Sequence, residues 1–424
     1  MKIYMVGVGG IGMSALAQLY ISDGHIVSGS DREKSPTTEL LDKKSVKVFI
    51  KQESGNVPQD AELVVYSDAV WEDNPERIKA KELGIRQISY FEALGEASKD
   101  RYTIAVSGTH GKTTTTAMLA DILKDAGKNP SAIVGSIVRE FGSNYLDGRK
   151  DLLVVEACEY KDHVLKLSPN ILVITNLEWD HTDWFPSLEA LQGMFAKAVS
   201  KVPGDGIIIA NPSDPKVAPA LIGAKAKIID YTKVDVPQLM MIGEFNRMNA
   251  RAAKAAARAA APDISEKIID TSLSTFGGTW RRFEYKGKTA SGAELYDDYA
   301  HHPTAIQETL KAAKERFKDS KLIVAFHPHL YSRTRDLMEE FANSFTGADE
   351  VIIAPIYAAR EEPIPGITSQ ALAEKVSTHG IPARGFETLQ DVEAYLRTKA
   401  AAGVTIITMG AGDIYKVAEN LRNT

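Results

Sequence analysis

The chain has one cysteine, Cys158, among 424 residues. No disulfide can close within it, which suits a reducing, cytoplasmic setting. No apolar run is long enough to span a bilayer, and no signal-peptide pattern follows Met1-Lys2. Basic residues are in deficit, 50 Lys and Arg against 56 Asp and Glu, for a formal net charge of -6. That argues against nucleic acid as the main partner, since a phosphate backbone needs a basic excess. It leaves room for a small anionic substrate held by a local cluster. Short repeats and low-complexity tracts are missing. The nearest thing is the alanine-rich run from Asn249 to Ala261, whose composition favours helix and which Pro262 stops.

What is present is an alternation of strand-like and helix-like segments, which predicts α/β domains with mostly parallel sheets. Polar stretches near residues 97–101 and 273–279 suggest two boundaries. The most informative stretch is Ser107-Gly108-Thr109-His110-Gly111-Lys112-Thr113-Thr114, between the apolar run Tyr102–Val106 and a helical pattern from Ala117. Gly108 and Gly111 allow close backbone approach to an anion, and helix-start N–H groups can point at phosphate oxygens. Lys112 would reach the terminal phosphates and the Thr113 hydroxyl would meet Mg²⁺. The usual longer loop would have glycine where Val106 stands.

A second glycine turn, Gly7-Val8-Gly9-Gly10-Ile11-Gly12, follows the strand-like Lys2–Val6, with Asp31 about twenty residues on. By itself this is a dinucleotide fingerprint, with pyrophosphate at the helix start and ribose at the carboxylate. It supports a rival reading, a nicotinamide-dependent oxidoreductase.

Further segments carry acids, histidines and arginines. The strand-like Leu152–Val155 ends in Glu156, well placed beside a phosphate loop for Mg²⁺. Another, Ile171–Ile174, leads into Thr175-Asn176-Leu177-Glu178-Trp179-Asp180-His181. Cys158 reads as a small packed residue. Near the C-terminal side lie Asp297-Asp298-Tyr299-Ala300-His301-His302-Pro303 and His327-Pro328-His329-Leu330-Tyr331-Ser332-Arg333-Thr334. Adjacent histidines in an extended segment point oppositely, so His301 and His302 do not share one ion easily. Arg333 can pair with a carboxylate through two N–H groups, as capture of a free amino acid requires.

Together these segments resemble the Mur ligase family, and within it the alanine-adding branch, over Met1 to about Asp413. The resemblance implies an α/β fold of three domains: a Rossmann-like UDP-binding domain over 1–100, a P-loop ATPase domain over 101–273 and a Rossmann-like amino-acid domain over 274–424. It implies ATP-driven joining of L-alanine to the carboxylate of UDP-N-acetylmuramate, through an acyl phosphate, in peptidoglycan precursor synthesis. ATP would contact Gly108, Thr109, His110, Gly111, Lys112, Thr113 and Thr114, with Asn246, Asn249, Arg281 and Asp298. Asn246 and Asn249 read equally well as helix caps. Mg²⁺ falls to Thr113, Glu156 and His181. The UDP-sugar falls to Gly7, Gly9, Gly10, Ile11, Gly12, Met13, Ser14, Ser30, Asp31 and Ser67. The amino acid falls to Tyr299, His301, His302, Arg333, Arg360 and Glu361. Lys112, His181, His301 and Arg333 are the catalytic candidates, with His301 as helper for the attacking amine. The family's Glu-Ala-Asp-Glu-Ser-Asp stands here as Glu156-Ala157-Cys158-Glu159-Tyr160-Lys161, and its Gln-Pro-His begins with His327.

Two other readings compete with the oxidoreductase. One is a recycling ligase of the same family that adds a tripeptide. The other is a nucleotide-gated binding protein. Sequence leaves open a monomer or a homodimer.

Overall fold

The computed structural model describes residues 1–359 and 361–422. It is an α/β chain with three sheets, and its described residues divide into two compact units. The first holds Met1–Glu178, Leu188–Met240 and Met248–Gly277; the second holds Trp179–Ser187, Met241–Arg247 and the residues from Gly278 onward. Among the described residues no helix is long and apolar enough to cross a membrane.

The first unit carries two sheets. One contains β1 (Lys2–Val6), β2 (Ile26–Asp31), β3 (Lys47–Ile50), β4 (Leu63–Tyr66) and β5 (Arg86–Ser89), all parallel, in the order 3-2-1-4-5. Strand order reverses between β1 and β4, and ligands favour the crevice at the carboxyl ends there. The helix Tyr90–Lys99 follows β5 directly. Ser89 and Glu92 start it with a reciprocal capping box, the Ser89 hydroxyl accepting from Glu92 N and the Glu92 carboxylate accepting from Ser89 N at 3.0 Å.

The other sheet contains β6 (Tyr102–Ser107), β7 (Pro130–Val138), β8 (Ser143–Leu146), β9 (Arg149–Glu156), β10 (Ile171–Ile174), β11 (Ile207–Ala210) and β12 (Lys227–Asp230), in the order 12-11-10-6-9-7-8. Only β8 runs antiparallel. From Thr103 onward β6 is buried throughout, as a central parallel strand covered on both faces should be. The phosphate loop therefore leaves the middle of the sheet, flanked by the ends of β9 and β10.

The second unit carries β13 (Glu284–Lys288), β14 (Glu294–Asp298), β15 (Lys321–His327), β16 (Glu350–Ile353), β17 (Ala383–Gly385) and β18 (Val404–Gly410), in the order 13-14-18-15-16-17. Side chains alternate between two buried cores. Leu322, Val324 and Phe326 enter one, while Ile323 and Ala325 enter the other. That period of two is the strand repeat, and it makes this a sheet buried on both faces.

The alanine-rich run extends further than its composition suggests. The helix covers Glu244–Ala260, so Asn246 and Asn249 lie inside it and neither is its cap.

Candidate active site

The first glycine turn lies at the carboxyl end of β1. Gly7 has φ +81°, and Gly7 N and Val8 N both donate to Ser30 O at 2.9 Å. Gly9 N donates to Asp31 Oδ2 at 2.8 Å. Asp31 thus closes the turn, an addition to the ribose role its position suggests. A Cβ on Gly9 would lie 2.8 Å from that same oxygen, and one on Gly12 would lie 2.6 Å from Tyr90 Cζ. Gly10 caps the helix Ile11–Ser22 with no side-chain bond, which presents main-chain N–H groups at the helix start. Ser67 follows β4 and packs on the turn, its Cβ 3.0 Å from where a Gly7 Cβ would be. Met13, Ser14 and Ser30 are buried. Asn144 donates to Ser14 Oγ at 2.8 Å, and Ser30 Oγ bonds the buried Glu76. These three side chains face protein.

The phosphate loop follows β6. Gly108 has φ +124° and Gly111 has φ +81°. A Cβ would come within 2.3 Å of Thr175 Oγ1 at the first and 2.1 Å of Asn249 Oδ1 at the second. Only glycine fits either place. Thr109 N donates to Asn176 O, and His110 N to Asn176 Oδ1, both at 3.0 Å. His110 Nε2 lies 2.9 Å from Glu178 Oε2. Gly111 then starts the helix Lys112–Asp125, whose first turn buries Thr113 and Thr114.

Lys112 Nζ donates to Gly108 O at 2.6 Å, Thr109 O at 3.0 Å and Glu159 Oε1 at 2.9 Å. Burial alone would lower its pKa. Glu159, with help from Cys158 and Glu156, reverses that and holds the ammonium above its ordinary value. Burial, with Glu159 beside it, pushes the Cys158 thiol up to about 12, which removes it as a nucleophile near neutral pH. Thr113 Oγ1 donates to Glu156 Oε1 at 2.9 Å, and Gly135 N fixes Glu156 Oε2 at 2.7 Å. A hydroxyl and a carboxylate, both hard oxygen donors, meet at the helix start. That donor set fits Mg²⁺.

The second unit gathers its own cluster. Arg333 and Asp180 are buried and paired at 2.8 Å. Arg333 Nη1 lies 3.0 Å from His329 Nδ1. The His329 ring stacks on Tyr357 at 5.7 Å, and His301 meets His329 edge-on at 6.1 Å. His301 Nδ1 lies 2.9 Å from Tyr299 O. Burial, followed by Arg333, drives His301 well below its ordinary pKa, so its ring is neutral at pH 7. His302, the other half of the pair, is buried and precedes the helix Pro303–Arg316. His181 has φ +53° and its N donates to Asp180 Oδ1 at 2.7 Å. Thr113 and Glu156 belong to the first unit and His181 to the second.

Other expected contacts are engaged within the protein. Arg281 is buried and donates to Asp297 Oδ2 at 2.8 Å, Gly412 O at 2.9 Å and Gly410 O at 2.6 Å. Asp298 accepts from Phe283 N and Ala300 N at 2.7 Å each, yet burial pushes its carboxyl up to about 6. Asn246 donates to Ile242 O at 2.8 Å. Glu361 accepts from Ser332 N at 2.9 Å. Arg360 lies outside the described residues.

Several further groups shape the site. Asn176 clamps two loop N–H groups, Glu159 holds Lys112, and Tyr357 supports His329. The Thr-Asn-x-Glu string held the signal for the first. The last two depend on folding distant segments together.

Three family profiles match the chain in order. They are "Mur ligase family, catalytic domain" over residues 2–102, "Mur ligase middle domain" over 106–238 and "Mur ligase, glutamate ligase domain" over 281–412. A UDP-N-acetylmuramate–L-alanine ligase of Caldicellulosiruptor saccharolyticus is 38% identical over an alignment 448 positions long, gaps included, covering 99% of this chain and 97% of its own. Among solved structures, the UDP-N-acetylmuramate-alanine ligase of Thermotoga maritima matches with a TM-score of 0.81 at 28% identity, covering 99% of this chain and 98% of that one. The murein peptide ligase of Psychrobacter arcticus matches at 0.73 and 25% identity, with the same coverage. The three profiles together span nearly all of the chain, the relatives match over almost its full length, and the chain belongs to the Mur ligase family.

Proposed function

We propose that the chain joins L-alanine to the carboxylate of UDP-N-acetylmuramate, driven by ATP cleavage to ADP and phosphate. Lys112, Thr113 and Glu156 brought together at one helix start carry the proposal. An oxidoreductase has no use for that trio, and a passive nucleotide binder has no use for the cluster around Arg333. The alanine-ligase relative that matches nearly the full chain points to alanine rather than a tripeptide.

The chemistry follows from the groups present. A carboxylate is a poor acyl electrophile, so the γ-phosphoryl group moves to it first, giving an acyl phosphate and ADP. Lys112 stabilises charge that develops on the phosphoryl oxygens. Thr113 and Glu156 would hold Mg²⁺, which would supply a second positive charge there, and His181 is the further ligand that the family resemblance implies. The alanine amine attacks neutral, and phosphate leaves. His301 can accept a hydrogen bond from the amine, but burial and Arg333 disfavour its charged form, so the proton the amine sheds passes to the departing phosphate. The Gly7–Gly12 turn with Asp31 and Ser67 holds the UDP-sugar. His302, Tyr299, Arg333 and Glu361 surround the amino acid. Three functional domains follow, over 1–100, 101–273 and 274–424.

The test is phosphate release with ATP, Mg²⁺ and UDP-N-acetylmuramate, with and without small L-amino acids. L-alanine should stimulate release, and Lys112→Ala should abolish it. Turnover only with a tripeptide would move the assignment to recycling. Reduction of a nicotinamide cofactor would overturn it.

A further inference from the structure

The segment after Glu156 departs from the family pattern, and it also holds the strangest backbone of the first unit. Lys161 (φ 51°, ψ 32°) and Asp162 (φ 61°, ψ 22°) are consecutive left-handed residues, and neither is glycine. Each such residue is strained and persists only where its surroundings fix it.

The outcome of that turn is the placement of His163. Its Nε2 lies 2.7 Å from Asp68 Oδ2. Its ring stacks on Phe91, centroids 3.4 Å apart and planes 11° from parallel. The imidazole is about one-tenth exposed and the Asp68 carboxylate 28% exposed. Stacked on Phe91, the ring presents its Nε2 to the Asp68 carboxylate.

Both ends of this seam lead to a nucleotide turn. Asp68 follows Ser67, which packs on Gly7 of the first turn and whose N donates to Val6 O at 3.0 Å. At the other end Glu159 bonds Lys112 of the phosphate loop, four residues before His163. The helix start makes a parallel link. Tyr90 abuts Gly12 and meets Phe91 edge-on at 4.7 Å. Burial, then Glu156 and Cys158, raises the Tyr90 hydroxyl above its ordinary pKa.

We propose that His163 is a positioning residue that couples the UDP-sugar turn to the phosphate loop, by fixing Asp68 against the segment that holds Lys112. This rests on the proposal that the first turn holds the UDP-sugar.

Coupling between two sites is measured as a ratio of affinities. Calorimetry on the full chain would give the affinity for UDP-N-acetylmuramate with and without saturating Mg-ADP. The wild type should show a ratio of about fivefold or more. His163→Ala and Asp68→Ala should each bring it below twofold, with the ADP affinity itself unchanged. The double variant should be no worse than either single one, because one contact cannot be lost twice. His163→Gln keeps an amide donor near the Nε2 position, so it should recover part of the ratio and serve if the alanine variant folds poorly. An unchanged ratio in His163→Ala, or additive losses in the double variant, would overturn the coupling. Wild-type chain that binds ADP but no UDP-sugar would instead overturn the assignment of the turn, and the coupling with it.

Discussion

Arg333 donates from Nε and Nη2 to one oxygen of Asp180, Oδ1, at 3.1 and 2.8 Å. Burial would raise the Asp180 pKa, but above all Arg333 holds the carboxyl well below its usual range. The pair therefore keeps two buried charges matched beside the histidines. Removing one partner leaves the other charge buried alone, which typically costs about 3–5 kcal/mol. Asp180→Asn and Arg333→Ala should each lose stability of that order in urea unfolding. Arg333→Lys should recover only part, since an ammonium cannot reproduce the fork. Losses below about 1 kcal/mol in all three would show that the pair adds nothing to the fold.

Acid should weaken the second unit through its buried imidazoles. Burial is the main cause that lowers His327 and His329 to about 4. An unfolded histidine protonates near pH 6.5, so between about pH 6.5 and 4 the unfolded chain binds more protons. Stability is therefore full above that window and falls as pH drops through it. His327→Gln should flatten the slope, by about 3 kcal/mol summed to pH 4. Urea midpoints at stepped pH would read it, and a slope equal to the wild type would contradict the buried neutral ring.

Much of this was legible in the chain itself, because short-range chemistry dictates it. The strand Tyr102–Ser107 and the helix from Lys112 follow from an apolar run, two glycines and a helical pattern. Residue type and strand position make Thr113 and Glu156 each a candidate for a cation, the family resemblance pairs them, and the structure brings them within 2.9 Å. What sequence hid is competition for the same donors. Arg281 looked available for ATP, but folding gives its guanidinium to Asp297 and two carbonyls. Asn249 looked like a cap, yet the helix begins five residues earlier, at Glu244, and Asn249 lies against Gly111. Arg333 matched a carboxylate binder, and a carboxylate does meet it, from Asp180 of the same chain. Such partners come from distant segments, which periodicity does not reveal.

Gly111 offers a local test of the loop. Its φ of +81° is strained for any other residue, and a Cβ would meet Asn249 Oδ1 at 2.1 Å. Gly127 has φ +70°, but nothing lies within 4 Å of its would-be Cβ. Gly111→Ala should cut phosphate release about a hundredfold or more, as a misplaced catalytic group does. Gly127→Ala should cost only about 1 kcal/mol of stability and leave turnover intact. Equal effects on turnover would mean that backbone strain alone, rather than loop shape, sets the rate.

Thr113 and Glu156 make a metal requirement measurable. Chelation with EDTA should stop alanine-dependent phosphate release, and added Mg²⁺ should restore it. Glu156→Gln keeps an oxygen that can still accept from Gly135 N, so the strand end stays in place while the charge is lost. It should raise the half-saturating Mg²⁺ concentration roughly tenfold or more, about 1.4 kcal/mol of binding free energy. Thr113→Ala should act in the same direction, and Thr113→Ser, which keeps the hydroxyl, should stay near the wild type. Circular dichroism would confirm that each variant is folded. Half-saturation unchanged in both Glu156→Gln and Thr113→Ala would place the cation elsewhere. In that case the 2.9 Å bond between the two side chains would serve only to fix the start of the helix on the end of β9.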